Sequence, residues 1–249
     1  MIVYLAGYRS FEKYYTDPTD DIWLLSSFFE HRGADLKDYL FQEKHILDSG
    51  AFSTFKNPKE AQKIDWDDYV ERYIQLINKT NQKLFFEMDI DCVVGLEKVE
   101  YYRKIIEDKT GKQPIPVWHF HRGWDYFESM CESYPYVAIG TVPVTRQGQL
   151  IRKNPLILKK FIDTAHKHKT KIHGLGFTQT GMLDKLNFDS IDSTSWLSGG
   201  KYGQIYQFNG REMIYTNPPK GMRVANYKTA NTYNFKEWIK FQKYAEQYL

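Results

Sequence analysis

Short apolar runs rich in Val, Ile, Phe and Tyr alternate along the chain with longer stretches whose apolar residues recur three and four apart. Continuous apolar runs suit strands buried on both faces, and helical stretches between them are what crossover connections between parallel strands require. The runs predict strands over Ile2–Tyr8, His45–Phe52, Lys83–Ile90, Ile115–His121, Tyr136–Val142, Lys171–Phe177 and Asp189–Ser195. Amphipathic helices are expected over Trp66–Lys79, Leu96–Lys109, Trp124–Tyr134 and Pro155–His168, with a last helix over Phe235–Tyr248. Asp65 is placed to cap the Trp66 helix, with Asp68 in its first turn, and Gly111 to stop the Leu96 helix.

After Ser198 the texture changes. Two short alternating runs flank Asn209-Gly210, a two-residue hairpin signal, so an inserted β-hairpin is expected near residues 200–217. With it, the pattern predicts a (β/α)8 barrel whose eighth strand is one arm of that hairpin or a segment near Met222–Ala225. A doubly wound open sheet is the alternative, disfavoured because no Gly-rich phosphate turn follows the first strand. No repeat or linker composition marks a boundary, and 249 residues suit one barrel domain spanning 1–249.

Composition adds little: 42% hydrophobic and 26% charged residues fit a chain able to bury a core. A formal charge of +3 permits a nucleic-acid partner without requiring one. Two cysteines, Cys92 and Cys131, build neither a disulfide framework nor a four-thiolate zinc site; both lie in apolar stretches, and Cys92 is expected to be a buried, inert thiol. The opening MIVYLAGYRS turns polar after one strand's length, and no run is long enough to span a bilayer, so a soluble, cytoplasmic protein without a membrane partner is expected.

In parallel α/β folds the carboxyl ends of the strands converge on one crevice, so polar residues ending apolar strands are the ones to weigh. Here they are Asp48-Ser49-Gly50 with Phe52, Asp89 and Asp91, His119 and His121, Gly140-Thr141, His173-Gly174, and Asp192. Each has a plainer reading, a helix-capping Asp or a hydrogen-bonded strand-end His. His119-x-His121 also suits two metal ligands on one strand face, with Asp48 and Asp192 completing the sphere of a barrel hydrolase.

Taken in order, LDSGAFS, EMDIDC, VAIGTV, HGLGF and DSIDSTS resemble the motifs of the tRNA-guanine transglycosylase superfamily, including phage and bacterial relatives that insert 7-deazaguanines into DNA. The resemblance covers roughly residues 45–200. It implies a (β/α)8 barrel that exchanges guanine for a 7-deazaguanine through a covalent intermediate, with no cofactor and no metal. It places the nucleophile on Asp192, the second catalytic aspartate on Asp48 and the stacking aromatic on Phe52. Asp89 becomes the reader of the guanine edge, with Asp91 its competitor, and Gly140 and Thr141 make backbone contacts. Ser49, Gly50, His173 and Gly174 fall beside the base. A base-binding glutamine of the family has no counterpart, and His119 or His121 stands near its place.

The chemistry asks for such groups. A carboxylate attacking the anomeric carbon divides one substitution into two easier ones, and a second carboxyl manages the proton of the departing and incoming bases. The family's Cys-x-Cys-x-x-Cys and His zinc site is absent, so no zinc subdomain is expected and DNA displaces tRNA as the first polymer candidate. Lys201, Arg211, Lys220 and Arg223 are candidates for phosphate contacts. A free 7-deazaguanine base is the second substrate, and accessory modification proteins or a homodimer are compatible with the sequence. A metal-dependent hydrolase and a non-catalytic binding barrel remain as competing readings.

Overall fold

The computed structural model describes residues 1–7, 21–31, 43–55, 57–140, 150–151, 153–222 and 225–249. Eight parallel strands form one curled sheet: β1 (Ile2–Ala6), β2 (Leu24–Ser27), β3 (His45–Asp48), β4 (Leu84–Phe85), β5 (Val117–Trp118), β6 (Tyr136–Gly140), β7 (Lys171–Leu175) and β8 (Ser190–Ser193). Their order is β4-β3-β2-β1-β8-β7-β6-β5, so chain neighbours are spatial neighbours and the first strand pairs with the last. An isolated parallel bridge, Phe86 to Ile115, ties the chain just past β4 to the chain just before β5.

The expected runs all contain strands, but the eighth strand is neither a hairpin arm nor the Met222–Ala225 segment, of which 223 and 224 lie outside the described residues. It is β2, between β1 and β3. Ser26 and Ser27 interrupt its apolar character, and the polar cost of Ser26 is met from elsewhere: its Oγ lies 2.7 Å from Nε2 of both His45 and His31.

Side chains alternate across the sheet. Tyr4, Ala6, Leu25, Ile46, Phe86, Val117 and Ala138 make the inner cluster. Val3, Leu5, Val137, Ile139 and Ile191 pack outward with the helical layer. Among the described residues, the longer helices between strands are α1 (Trp66–Lys79), α2 (Leu96–Thr110), α3 (Trp124–Ser133) and α4 (Pro155–Lys167). α1 buries Trp66, Tyr69, Val70, Tyr73, Ile74 and Ile77 along one stripe, and Asp65 caps it by accepting the Asp68 N–H at 3.0 Å. The Tyr73 hydroxyl reaches inward to the carbonyls of Leu47 (3.2 Å) and Phe86 (2.9 Å), pinning β3 to the end of β4. Gly111 ends α2 in the left-handed conformation with φ 67°.

Beyond β8, β9 (Ile205–Phe208) and β10 (Met213–Thr216) pair antiparallel. The turn is one residue later than expected: Asn209 and Glu212 close it, with the Asn209 side chain accepting the N–H groups of Arg211 and Glu212, and Gly210 taking φ +96°. The last helix, α5 (Tyr227–Tyr248), begins eight residues before the expected Phe235, its Asn226 cap accepting the Thr229 N–H. Asn234 and Glu237 of α5 accept the N–H groups of Tyr206 and Phe208, which satisfies the open edge of β9. Gln242 donates to the carbonyls of Val3 and Trp23, fastening α5 to the starts of β1 and β2. No helix among the described residues is long and apolar enough to cross a membrane.

Candidate active site

Asp48 is the last residue of β3, Asp192 lies near the end of β8, and Asp89 follows β4. All three therefore come from the carboxyl ends of strands, and they meet. Desolvation is the largest influence on Asp48, followed by the charges of Asp89 and Asp192, and together they push its pKa well above the usual carboxylate range. A backbone hydrogen bond from Gly50 pulls weakly the other way. Asp48 is thus a carboxyl set up to hold a proton.

Asp89 is 5% exposed and its pKa is raised to about 6, mainly by burial; His119 opposes that shift, and Glu87 and Asp91 add to it. The Ser49 hydroxyl donates to Asp89 Oδ1 at 3.4 Å, and His119 Nε2 lies 3.9 Å from Asp89 Oδ2. Both contacts are long. Asp91, two residues on, is differently placed: it receives His119 Nδ1 (2.8 Å), His121 Nε2 (2.8 Å) and Arg122 Nε (2.6 Å). Burial raises the Asp91 pKa, but the bonds from His119 and Arg122 outweigh it and hold the carboxyl well below the usual range. Asp91 is committed to the protein, and Asp89 keeps acceptor capacity for something else.

Behind Asp91 lies an ionic chain absent from the sequence reading. Glu87 is fully buried; Arg103 of α2 donates to its Oε2 at 2.6 Å, while Arg122 Nη1 and the Val117 N–H both donate to its Oε1 at 2.8 Å. Arg122 therefore joins Glu87 to Asp91. The signal was present in the pattern: Glu87, Asp89 and Asp91 alternate at the end of one apolar strand, and His119, His121 and Arg122 follow the next. Buried carboxylates at that density need buried cations.

Asp192 is held by its Oδ1, which accepts the Gly176 N–H at 2.6 Å and His173 Nε2 at 3.1 Å. No hydrogen bond reaches its Oδ2 among the described residues. His173 is completely buried, so it touches Asp192 rather than presenting itself to a ligand. Gly174 packs outward, where an added Cβ would lie 3.3 Å from Ile191, Phe177 and Phe188.

Two other glycines sit where a side chain would collide with the protein. Gly50, at φ +64°, packs closely on the chain before it: a Cβ there would lie 2.7 Å from the Phe29 Cβ. At Gly140 a Cβ would fall 2.6 Å from His119 Nε2, so this glycine makes room for the imidazole. Ser49 is fully buried beneath Asp89. The Phe52 ring is half-buried on the turn after Gly50, edge-on to His119 with centroids 6.2 Å apart. Thr141 and Arg223 lie outside the described residues.

His119 and His121 do gather a carboxylate, but it is Asp91, not Asp48 or Asp192; one ligand atom from each lies within 4.8 Å of the others. Cys92 is exposed rather than buried, yet partial desolvation and the charges of Asp91 and Asp89 push its thiol pKa up. Cys131 is buried. Lys201 and Lys220 are exposed, whereas Arg211 is paired with Asp184.

The arrangement offers one proton-holding carboxyl, one carboxylate with an unengaged oxygen and one acceptor beside an imidazole and a phenyl ring. No family model, no curated protein and no solved structure matches this chain.

Proposed function

We propose that this protein exchanges guanine in a polynucleotide, DNA first and tRNA as the alternative, for a free 7-deazaguanine base, on a closed (β/α)8 barrel with the hairpin inserted after its last strand. The Phe86–Ile115 bridge between the two ends of the sheet order supports closure. The observation that carries the function is the convergence of Asp48, Asp89 and Asp192 in three unlike environments. Carboxyl groups held in unlike environments can divide acid, base and nucleophile roles between them. Asp192 Oδ2 attacks the anomeric carbon, Asp48 supplies a proton to the departing base and recovers one from the incoming base, and Asp89 accepts the N1–H and amino group of guanine. Phe52 supplies a stacking face, worth about 1–3 kcal/mol per base. Exposed Lys201 and Lys220 contact phosphates.

The test is to incubate the protein with guanine-containing DNA or tRNA and look for a complex that survives denaturation. We expect one, and expect Asp192→Ala to abolish it. An adduct that persists in Asp192→Ala refutes the nucleophile.

The Asp91, His119 and His121 cluster favours a second reading, a metal-assisted hydrolase. We rank it lower because Arg122 places a guanidinium 2.6 Å from Asp91 Oδ2, and that positive charge opposes a cation at the same carboxylate. Stoichiometric zinc or manganese in purified protein, lost on His121→Ala, would reverse the ranking.

A further inference from the structure

Behind Asp192 runs a buried chain of hydrogen bonds that the exchange reaction has not so far used. Tyr136 Oη lies 2.5 Å from Ser190 Oγ, Ser190 Oγ lies 2.5 Å from His173 Nδ1, and His173 Nε2 lies 3.1 Å from Asp192 Oδ1. Ser190 and His173 are both fully buried, and His173 is walled by the rings of Phe86 and Tyr4 at 5.1 and 6.0 Å. Burial, the main influence, pushes the Tyr136 phenol above its usual pKa, so the hydroxyl keeps its proton and can donate. An ionised carboxylate only accepts. The donor sequence that satisfies every member is therefore Tyr136 Oη–H to Ser190, Ser190 Oγ–H to His173 Nδ1, and His173 Nε2–H to Asp192.

We infer that Tyr136, Ser190 and His173 form a positioning relay that fixes the Nε2–H tautomer of His173 and, with the Gly176 N–H, makes Oδ1 of Asp192 the oxygen that takes up charge when the covalent intermediate breaks down. This rests on the exchange reaction proposed above. In the first step Oδ2 forms a bond to the anomeric carbon, the bond from that carbon to the guanine ring nitrogen breaks, and its electron pair leaves with the base, which takes a proton from Asp48. Asp192 is then a neutral ester whose carbonyl oxygen is Oδ1. In the second step the incoming base gives its proton to Asp48 and bonds to the same carbon through its ring nitrogen. The pair of the breaking carbon–Oδ2 bond returns to Asp192, and the negative charge spreads onto Oδ1.

Two donors already stand there. Gly176 reaches Oδ1 at 2.6 Å from a left-handed conformation, φ +63°, that favours glycine. The same donors stabilise the carboxylate before attack, so their net effect favours release over attack. They shorten the life of the intermediate and orient Oδ2 toward the substrate. A His held only for packing would not divide the two half-reactions in this way.

The relay is tested first without turnover, by nitrogen-detected NMR of the His173 imidazole in the whole protein. We expect Nε2 protonated and Nδ1 unprotonated in wild type, with that preference weakened in Ser190→Ala. Protonation on Nδ1 alone overturns the inference whatever the protein catalyses. The kinetic arm follows adduct formation and its resolution by 7-deazaguanine separately. Removing one such donor costs about 10²–10³-fold where charge develops. His173→Met should slow resolution by about that factor without slowing formation, so the adduct accumulates, and His173→Gln, which keeps a donor, should recover part of the loss. Equal loss in both steps, or none, overturns the inference; if His173→Met does not fold, Ser190→Ala carries the same comparison with a smaller expected effect. Wild-type protein that forms no adduct while His173 shows the expected tautomer would overturn the exchange reaction and leave the relay standing.

Discussion

Replacing Asp89 by Asn should make the protein more stable at neutral and alkaline pH while damaging its selectivity. Asp89 holds a charge in a site that resists it: its pKa rises from 3.8 to about 6, chiefly through burial, despite the attraction of His119. At 1.36 kcal/mol per unit, that shift corresponds to about 3 kcal/mol of destabilisation when the group is ionised in both folded and unfolded chains. The sign follows from the direction. A carboxyl whose folded pKa is raised binds its proton more tightly when folded, so the penalty is full above about pH 6 and disappears below the unfolded value near 4.

Asn removes the charge, keeps the shape and can still accept from Ser49. Losing the Asp89 charge also relieves Asp48, so the two effects have the same sign. Urea denaturation of wild type and Asp89→Asn at pH 8 and pH 4.5 isolates the difference, because groups remote from the site cancel. We expect a gain of up to about 3 kcal/mol at pH 8, or about 6–12 °C in melting temperature for a chain of this size, shrinking to about 1 kcal/mol at pH 4.5. A variant that is no more stable than wild type at pH 8, or a gain that does not shrink with acid, refutes the reasoning. The same substitution should weaken discrimination of guanine from adenine by a few kcal/mol, and unchanged selectivity would remove Asp89 from the reading role.

Arg122→Met leaves Glu87 and Asp91 without their shared cation and should cost about 3–5 kcal/mol of stability, read as a lowered urea midpoint; a midpoint within error of wild type would show the chain to be dispensable. Gly140→Ala pushes a methyl group into His119, and the repacking should cost about 1–3 kcal/mol while lowering base affinity, measured by titration with free guanine. Unchanged affinity would place His119 away from the base.

Periodicity and strand-end placement made most of the scaffold legible in the sequence. Trp66–Lys79 declares itself as a helix because its buried stripe and Asp65 cap are both local. The aspartates at the ends of β3, β4 and β8 stood out because a charge closing an apolar run is conspicuous. β2 was missed for the converse reason. Its serines look like a loop until His31 and His45, from outside the strand, are seen to satisfy Ser26. α5 begins earlier than its apolar stripe, at the Asn226 cap, and its first turns bury the small Ala230 and the polar Asn231.

Roles within the site were decided only by tertiary structure. Asp89 and Asp91 are chemically identical and two residues apart, yet Arg122, His119 and His121 engage one and leave the other largely unengaged. At Gly50 and Gly140 another part of the protein occupies the space a side chain would need, which no local pattern announces. His173 reads equally as a ligand contact or as a hydrogen-bonded strand-end residue, and folding buries it against Asp192. Sequence alone determined which residues reach the carboxyl ends of the strands, since that depends on local periodicity. Which of them stay charged, which hold a proton and which serve one another depends on partners distant in sequence and on burial, and only the folded chain supplies both.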